Sequence, residues 1–184
     1  MAAERSFRTL SVEATEALAA AVGALAGVDL VVCLDGDLGA GKTAFVRGLA
    51  RGLEVTEPVS SPTYTLMHTY PGRLELYHFD AWMEGREAAF LEGGGAEWLH
   101  AGGVAVVEWA ARVATWLPDE RLEVLLEHEG APAATEACDG YDPYADRPRR
   151  LRFRAIGPGP VALLGALEVP TGASELPENP DRTP

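Results

Sequence analysis

The sequence has little positive charge and, in particular, almost no lysine. Its 184 residues contain 28 Asp and Glu but only 15 Lys and Arg, which gives a net charge of −13. Lys42 is the only lysine, and the other 14 basic residues are arginines. Because phosphate backbones are bound by clustered Lys and Arg, this deficit argues against a chain that grips nucleic acid alone. The one candidate for a local basic patch is the segment 147–154.

Cysteine and histidine are also scarce, and no apolar run is long enough to cross a membrane. Cys33 and Cys138 are too far apart for a spaced metal motif and too few for a disulfide framework. The four histidines are scattered, so we predict no metal site built from protein ligands alone. The apolar stretch 17–28 resembles a signal peptide, but Glu13 and Glu16 break that pattern. We expect a soluble, cytoplasmic protein without membrane contact.

The patterning of apolar residues predicts one α/β domain. The chain is 47% apolar and 23% charged, which is typical of globular proteins, and its length suffices for one substantial core. Residues 30–34 and 103–108 are continuous apolar runs, typical of strands buried on both faces, and Cys33 is predicted to be buried in the first run. Further strands are predicted at 64–70, 74–80, 121–127 and 150–155, and helices at 11–26, 42–53, 84–91, 96–100 and 110–117.

Two segments lie outside this pattern. Residues 130–148 are rich in Ala, Pro, Asp and Gly and are predicted to form a long loop insertion. From about residue 168 the chain is acidic and rich in proline without periodicity, which predicts a disordered tail over residues 168–184. The folded domain is therefore predicted to span residues 1–167.

A phosphate-binding motif follows the first buried strand. Residues 36–43 match the pattern G-x-x-x-x-G-K-[ST] at every fixed position. The glycines let the backbone wrap with its N–H groups around an anion at the start of a helix. Lys42 is predicted to reach the β- and γ-phosphates as a compact point charge, and Thr43 to bind Mg²⁺. The predicted binding residues of this loop are Gly36, Asp37, Leu38, Gly39, Ala40, Gly41, Lys42 and Thr43.

Two strand-end carboxylates are candidates for holding the metal and the attacking water. Glu108 ends the strand 103–108 and is assigned to Mg²⁺, directly or through water. Asp80 ends the strand 74–80 and is predicted to orient the attacking water or to lie behind the metal ligands. These roles are exchangeable on the sequence alone, and either residue is otherwise an ordinary strand-end acid. Lys42, Asp80 and Glu108 are the predicted catalytic residues.

Two features beside these residues have alternative interpretations. The loop Ser60-Ser61-Pro62-Thr63 lies where many P-loop proteins place a switch that senses the γ-phosphate. Its hydroxyls, including that of Thr63, are predicted to contact the γ-phosphate, Mg²⁺ or water, and the alternative is a plain turn that enters a strand. Trp109 is predicted to pack in the core, with contact to the nucleotide or to a partner as the alternative.

Four blocks in a fixed order resemble the bacterial TsaE family, formerly called YjeE. They are residues 36–43, residues 60–66, residues 77–80 and the pair Glu108-Trp109. Members of that family are small P-loop ATPases of tRNA threonylcarbamoyladenosine synthesis. The resemblance covers about residues 7–116, and the ordered set of blocks is more specific than the P-loop alone.

The resemblance implies a fold, an activity and partners. The fold would be a P-loop NTPase-type three-layer α/β sandwich, with a mostly parallel central sheet and an antiparallel portion. The activity would be weak Mg²⁺-dependent ATP hydrolysis, with Thr43 and Glu108 serving the metal, and Asp80 and the Ser-Pro-Thr switch serving hydrolysis. Ser11 belongs to a stretch that would approach the adenine. The partners would be TsaD and TsaB, which transfer the threonylcarbamoyl group to the adenosine beside the anticodon, so tRNA is met only through the complex.

The chain departs from the family pattern after Asp80 and near its C-terminus. Ala81-Trp82-Met83 replaces the usual Leu-Tyr-Arg, which removes an arginine directly after the carboxylate. The resemblance implies that one of Arg149 and Arg150 would be the counterpart of a family arginine near the nucleotide. The segment 130–148 and the acidic tail are additions to the pattern.

Two other functions compete with a TsaE-type ATPase. A P-loop small-molecule kinase would need an acceptor pocket and a lid with several arginines, whereas the segment 73–121 holds only Arg73, Arg86, Arg112 and Arg121. A nucleotide-gated interaction module would bind ATP with only incidental hydrolysis, and turnover measurements separate it from an ATPase. We predict an ATP-binding and ATP-hydrolysing component of threonylcarbamoyladenosine formation that does not itself modify tRNA.

Overall fold

One sheet of eight strands carries helices on both faces. A computed structural model of the protein describes residues 1–83, 85–129 and 147–177. The strands are β1 (Ala2–Thr9), β2 (Leu30–Asp35), β3 (Met67–Tyr70), β4 (Leu76–Asp80), β5 (Val104–Glu108), β6 (Arg121–His128), β7 (Arg149–Ile156) and β8 (Ala173–Leu176). The α-helices are α1 (Val12–Leu25), α2 (Lys42–Gly52), α3 (Arg86–Glu92) and α4 (Pro158–Ala166), and 3₁₀ helices span Gly95–His100 and Ala110–Trp116. No helix in these described ranges is long and apolar enough to cross a membrane.

The sheet is mixed, with a parallel centre and antiparallel additions on both sides. The strand order is β3-β4-β5-β2-β6-β7-β1-β8. Strands β4, β5, β2 and β6 run parallel, whereas β3, β7, β1 and β8 pair antiparallel to their neighbours. This arrangement confirms the predicted α/β fold class. The antiparallel portion is larger than predicted, because β1 and β8 lack the apolar alternation that reveals a strand in the sequence.

The C-terminal segment contains a strand where disorder is predicted. That prediction is wrong for Ala173–Leu176, because this segment pairs with β1 as strand β8. Without β8, one edge of β1 would present unpaired backbone groups. Arg5 fastens the segment, since its guanidinium donates to both carboxylate oxygens of Glu175 at 2.7 Å, and this hydrogen bond lowers the pKa of Glu175. Residues 178–184 of the predicted tail and residues 130–146 of the predicted insertion lie outside the described residues.

Alternation along β2 sends its side chains to two cores. Val32 and Leu34 join a core with apolar residues of α1, α2 and α4, while Val31 and Cys33 join a core with residues of α3 and the 3₁₀ helices. This confirms the strand predicted at 30–34 as buried on both faces. Burial raises the pKa of the Cys33 thiol to about 12, so the thiol stays protonated at neutral pH. Cys33 is therefore a small apolar core residue, as predicted.

Helices α1 and α2 approach so closely that only glycine fits at their contact. A Cβ atom on Gly48 would lie 2.2 Å from the Glu16 carbonyl oxygen, and one on Gly23 would lie 2.3 Å from the Leu49 carbonyl oxygen. Because helix carbonyls cannot move without moving the helix, these glycines set the distance between the two helices. The contact matters for function because α2 begins with Lys42.

Gly48→Ala is expected to lower the free energy of unfolding by about 1–3 kcal/mol, although alanine is the better helix former. The added methyl group must push α1 away from α2 at the Glu16 carbonyl. Gly165→Ala in α4 is the matched control, because a Cβ there meets no atom within 4 Å, and we expect unchanged or slightly higher stability. Urea denaturation measures both variants, and an unchanged midpoint for Gly48→Ala would contradict the prediction.

The candidate basic patch at 147–154 is compensated by acidic residues. Three of the outward-facing side chains of β7 are arginines, and each faces a glutamate on or beside a neighbouring strand. The pairs are Arg150–Glu129 at 3.7 Å, Arg152–Glu127 at 3.2 Å, Arg154–Glu123 at 3.3 Å and Arg154–Glu4 at 3.6 Å. The described face of β7 therefore concentrates no positive charge for nucleic-acid phosphates.

Candidate active site

The carboxyl ends of β2, β4 and β5 meet at one edge of the sheet, and the candidate residues lie there. The parallel register places Asp80 beside Glu108, and Glu108 beside Leu34 near the end of β2. The P-loop begins where β2 ends, directly after Asp35. Because ligands of open α/β sheets bind beyond the carboxyl ends of the strands, this register assembles one site from segments that are distant in sequence.

The P-loop has a backbone that requires its glycines. Gly36, Gly39 and Gly41 have φ angles of 139°, 80° and 106°, in the left-handed region that side chains disfavour. A Cβ atom on Gly36 would also lie 2.3 Å from the Leu126 carbonyl oxygen, so the loop passes too close to β6 for another residue type. Gly41 directly precedes α2, and the amino end of that helix favours an anion.

Lys42 is held by the loop that it belongs to. Its Nζ donates to the carbonyl oxygens of Gly36 at 2.6 Å and of Asp37 at 3.0 Å. The residue is 5% exposed. Burial lowers the pKa of Lys42, and the negative charges of Glu108 and Asp35 oppose that shift. The ammonium therefore lies at the loop, and its hydrogen bonds go to neutral carbonyls that a phosphate can replace.

Trp109 lines this site and also packs on the core. Its ring centre lies 3.5 Å from the Lys42 ammonium and 4.6 Å from the ring of Trp82, and Arg112 lies 4.8 Å from the Trp82 ring. Trp109 has a φ of 60°, which is unusual for a residue other than glycine, and its N–H donates to the Leu34 carbonyl at 2.8 Å. The predicted core packing is confirmed, and the ring faces the P-loop lysine as well.

The two predicted metal ligands contact each other. Thr43 Oγ1 donates to the carboxylate of Glu108, with distances of 3.0 Å to Oε1 and 3.3 Å to Oε2. The same oxygen, Glu108 Oε1, also lies 2.9 Å from His78 Nε2. Glu108 is only 3% exposed. A hydroxyl and a buried carboxylate at this spacing are suitable oxygen donors for Mg²⁺.

Asp80 is bound to the predicted switch loop. Its Oδ2 accepts hydrogen bonds from Ser61 Oγ at 2.8 Å and from Thr63 Oγ1 at 2.6 Å, and its Oδ1 accepts the N–H of Trp82 at 3.0 Å. The two hydroxyls also lie 2.7 Å from each other. The loop is therefore more than a plain turn into a strand, because it joins a site carboxylate to groups that can reorient.

These groups line a cavity of about 580 Å³, a volume typical of small-molecule sites. The predicted site residues that line it are Leu38, Gly39, Gly41, Lys42, Thr43, Thr63, Asp80 and Glu108. The other lining residues are Val12, Ala44, Arg47, Ser61, Trp82, Trp109 and Arg149.

Four predicted binding residues do not line the cavity, and the structure gives them other positions or contacts. Gly36 and Asp37 provide the carbonyls that hold Lys42, and Ala40 is buried. Ser11 caps α1, since its Oγ accepts the N–H of Ala14 at 3.2 Å. The residue after it, Val12, lines the cavity instead.

Protein side chains provide only part of a metal site. The described residues contain no group of three or more His, Cys, Asp and Glu side chains that could hold an ion. Mg²⁺ usually keeps several waters and takes its other ligands from one or two protein oxygens and the phosphates of a nucleotide. Thr43 and Glu108 fit that pattern, so the donor set suits a cation that enters with a nucleotide.

Comparison with known proteins decides the family. The family model described as "Threonylcarbamoyl adenosine biosynthesis protein TsaE" matches residues 9–135. The chain belongs to the TsaE family. The tRNA threonylcarbamoyladenosine biosynthesis protein TsaE of Bacillus subtilis (strain 168) is 38% identical, over 82% of this chain and 85% of its own. That of Treponema pallidum (strain Nichols) is 45% identical, over 57% of this chain and 78% of its own.

A solved structure agrees with this family. A crystal structure of Bacillus subtilis YdiB has a TM-score of 0.71 and 34% identity, and the match covers 91% of this chain and 95% of that one. The predicted TsaE membership and the nucleotide-binding P-loop fold are thereby confirmed, and the function that the family name states is biosynthesis of threonylcarbamoyladenosine in tRNA.

The structure also places Arg149, Trp82 and His78 at the site, in addition to the predicted binding and catalytic residues. It selects Arg149 over Arg150, because Arg149 is buried and lines the cavity while Arg150 faces solvent. Trp82 also lines the cavity, and its signal was the departure from the family sequence after Asp80. His78 lies two residues before Asp80 on β4, so alternation along a strand predicts that both face the same side.

Proposed function

We propose that this chain binds ATP with Mg²⁺ at the P-loop cavity and hydrolyses it slowly, in the cytoplasm, for threonylcarbamoyladenosine formation with TsaD and TsaB. The observation that carries the proposal is the meeting of Lys42, Thr43 and Glu108 at the carboxyl ends of β2 and β5. A charge for phosphates and oxygens for a cation are thus adjacent, as phosphoryl transfer requires.

Nucleotide binding begins with an exchange of partners at Lys42. Phosphate oxygens replace the Gly36 and Asp37 carbonyls around the ammonium. The N–H groups at the start of α2 add further donors to the same anion. Because the lysine is buried, its charge acts in a medium of low polarity and attracts phosphate more strongly than an exposed lysine would.

Glu108 and Thr43 are the residues proposed to hold Mg²⁺. Bound there, the ion would neutralise charge that develops on the phosphates. The structure favours Glu108 over Asp80 for this role, since Thr43 donates to Glu108 while Asp80 is occupied by the switch loop. We therefore propose Glu108 for the metal and Asp80 for the water, two roles that the sequence leaves exchangeable.

Asp80 is proposed to orient the attacking water. Its Oδ2 accepts from the hydroxyls of Ser61 and Thr63, and both hydroxyls can rotate towards a γ-phosphate. Rotation frees Oδ2 to accept a hydrogen bond from water, which places the water for attack. The arrival of a γ-phosphate and the release of Asp80 are then coupled through one loop.

The surface around the cavity supports action within a protein complex. Leu38, which lines the cavity, is 79% exposed, and Tyr64, which follows the cavity residue Thr63, is 81% exposed. We propose these two side chains as points of contact with the partner proteins. The ion-paired arginines of β7 and the net charge of −13 leave the binding of tRNA to the partners.

Glu108→Gln is expected to lower partner-stimulated ATP turnover by about 10–100-fold, because the neutral amide is a poor ligand for Mg²⁺. Metal-free ATP binding should stay within about twofold of the wild-type value, since Lys42 and the loop are unchanged. The matched control is Glu127→Gln, an exposed strand residue that should behave as wild type. Turnover is measured with purified chain, Mg²⁺, TsaD and TsaB.

Unchanged turnover in Glu108→Gln would contradict the site assignment. Failure of tagged chain to recover a TsaD-type protein from the native cytosol would contradict the proposed partnership. Nucleotide-dependent partner binding without any turnover would favour the interaction module instead.

The kinase alternative receives no support from the four arginines on which it depends. Arg73 donates to carbonyls at the end of α1, Arg86 to the Tyr64 carbonyl, Arg112 to the Trp82 carbonyl and Arg121 to Glu123. None of the four is among the described residues that line the cavity. Transfer of a labelled γ-phosphate to an acceptor other than water would reverse this ranking.

A further inference from the structure

A histidine that no part of the proposed chemistry uses lies behind Glu108. His78 is 0% exposed and lies on β4, the strand that pairs with β5 beside Glu108. Its Nε2 is 2.9 Å from Glu108 Oε1. An ionised carboxylate only accepts hydrogen bonds, so the ring must carry a proton on Nε2 and donate it to Glu108.

The other ring nitrogen of His78, Nδ1, shows why the contact of Nε2 with Glu108 matters. His78 Nδ1 is buried and has no hydrogen-bond partner among the described residues. Buried polar atoms in proteins are usually hydrogen-bonded, so a histidine with one unpaired nitrogen is a costly core residue. An apolar residue would be more stable at this position, unless the paired nitrogen has a function. The paired nitrogen is the one that faces Glu108.

The contact restrains a carboxylate that has competing neighbours. Glu108 lies between Thr43 on α2 and His78 on β4. The charge of Lys42 also attracts Glu108, and this attraction opposes the fall in the pKa of Lys42 that burial causes. The hydrogen bond from His78 acts against that attraction, because it fixes Oε1, the oxygen that lies 3.0 Å from Thr43 Oγ1.

We propose that His78 is a positioning residue, which holds the Glu108 carboxylate towards Thr43 and thereby sets the affinity of the nucleotide complex for its divalent cation. This inference rests on the proposed function, because it assumes that Thr43 and Glu108 receive the cation. Ligands held by a second hydrogen bond bind metal more tightly, and removing such a bond typically weakens metal affinity by about 10–100-fold.

Mn²⁺ titration with a non-hydrolysable ATP analogue tests the inference, with free Mn²⁺ measured by electron paramagnetic resonance. His78→Leu removes the donor, so the Mn²⁺ Kd of the ternary complex should rise about tenfold or more. Analogue binding in EDTA should change by less than about twofold, because the phosphate contacts of the P-loop are intact. His78→Gln keeps an N–H near the position of Nε2 and should return the Mn²⁺ Kd to within about threefold of wild type.

If His78 had only a structural role, His78→Leu would weaken analogue binding and Mn²⁺ binding together, or His78→Leu and His78→Gln would have the same Mn²⁺ Kd. Wild-type Mn²⁺ affinity in His78→Leu overturns the inference.

If that variant does not fold, His78→Asn takes its place, since the amide of asparagine replaces Nδ1 rather than Nε2. On the unaltered protein, the Nε2-bound proton should give a slowly exchanging imidazole signal that shifts when Mg²⁺ joins the nucleotide complex, and a signal that does not shift also overturns it.

Failure of the inference is distinguishable from failure of the proposed function. Glu108→Gln in the same titration should weaken Mn²⁺ binding whether or not His78 matters. Loss of affinity in Glu108→Gln but not in His78→Leu rejects the role of His78 alone. Wild-type affinity in both variants rejects Glu108 as the metal ligand and, with it, the proposed site.

Discussion

Lys42→Arg is expected to lower ATP turnover by about 100-fold or more, although it preserves the charge. The ammonium lies 2.6 Å from the Gly36 carbonyl oxygen and 3.5 Å from the centre of the Trp109 ring, and the residue is 5% exposed. A guanidinium is larger and planar, so it must displace either the loop or the indole. The chain uses arginine at every other basic position, which makes this swap a test of the compact ammonium itself.

Turnover with Mg²⁺ and the binding of a fluorescent ATP analogue measure this effect. The reverse swap Arg51→Lys, on the same helix, is the control, because Arg51 is exposed and its 3.4 Å contact with Glu16 is a surface ion pair of little energetic value. The control should turn over ATP as wild type does. Wild-type turnover in Lys42→Arg would show that the cavity admits a guanidinium and would contradict the prediction.

Phe153→Ala is expected to have the largest effect on stability, lowering the free energy of unfolding by about 3–5 kcal/mol. Phe153 is 1% exposed and lies in the middle of β7. Its ring meets that of Phe7 edge-on at 5.0 Å and that of Phe45 at 6.0 Å, so it joins β1 and α2 to β7. Truncation leaves a cavity between three elements, which cannot all close around it.

Urea denaturation gives the free energies, with Tyr64→Ala as the control for loss of an aromatic ring. Tyr64 is 81% exposed, so its truncation should change stability by less than about 0.5 kcal/mol. Phe153→Leu should fall between wild type and Phe153→Ala, because leucine fills part of the space. A loss below about 1.5 kcal/mol in Phe153→Ala would show that the core relaxes around the missing ring.

The part of the nucleotide site that adjacent residues specify, namely the P-loop and its flanking elements, was predictable from the sequence. The glycines at 36, 39 and 41 specify the loop on which they lie, and the apolar run of β2 and the spacing of α2 flank that loop. A motif of this kind constrains its own backbone through steric rules that act between adjacent residues. The prediction that Lys42 binds phosphate rests on the same eight residues.

The partners of these residues were not predictable, because they depend on pairing between distant segments. Alternation tells which side of a strand a residue faces, but it does not tell which strand lies beside it. Only the register of β4 against β5 placed His78 and Asp80 beside Glu108. The same register, with the P-loop between β2 and α2, placed Glu108 in contact with Thr43 and Asp80 in contact with Thr63 of the predicted switch loop.

The strand β8 shows the same limit at the other end of the chain. Its residues carry no apolar alternation, and their structure depends on the open edge of β1, which lies more than a hundred residues earlier. The sequence by itself determined a P-loop α/β protein of the TsaE family, and it singled out Lys42, the only lysine, as the predicted phosphate-binding residue. The tertiary structure decided which groups surround that lysine. Strand pairing and burial bring together residues that are distant in the sequence, and a local sequence pattern does not show which of them will interact.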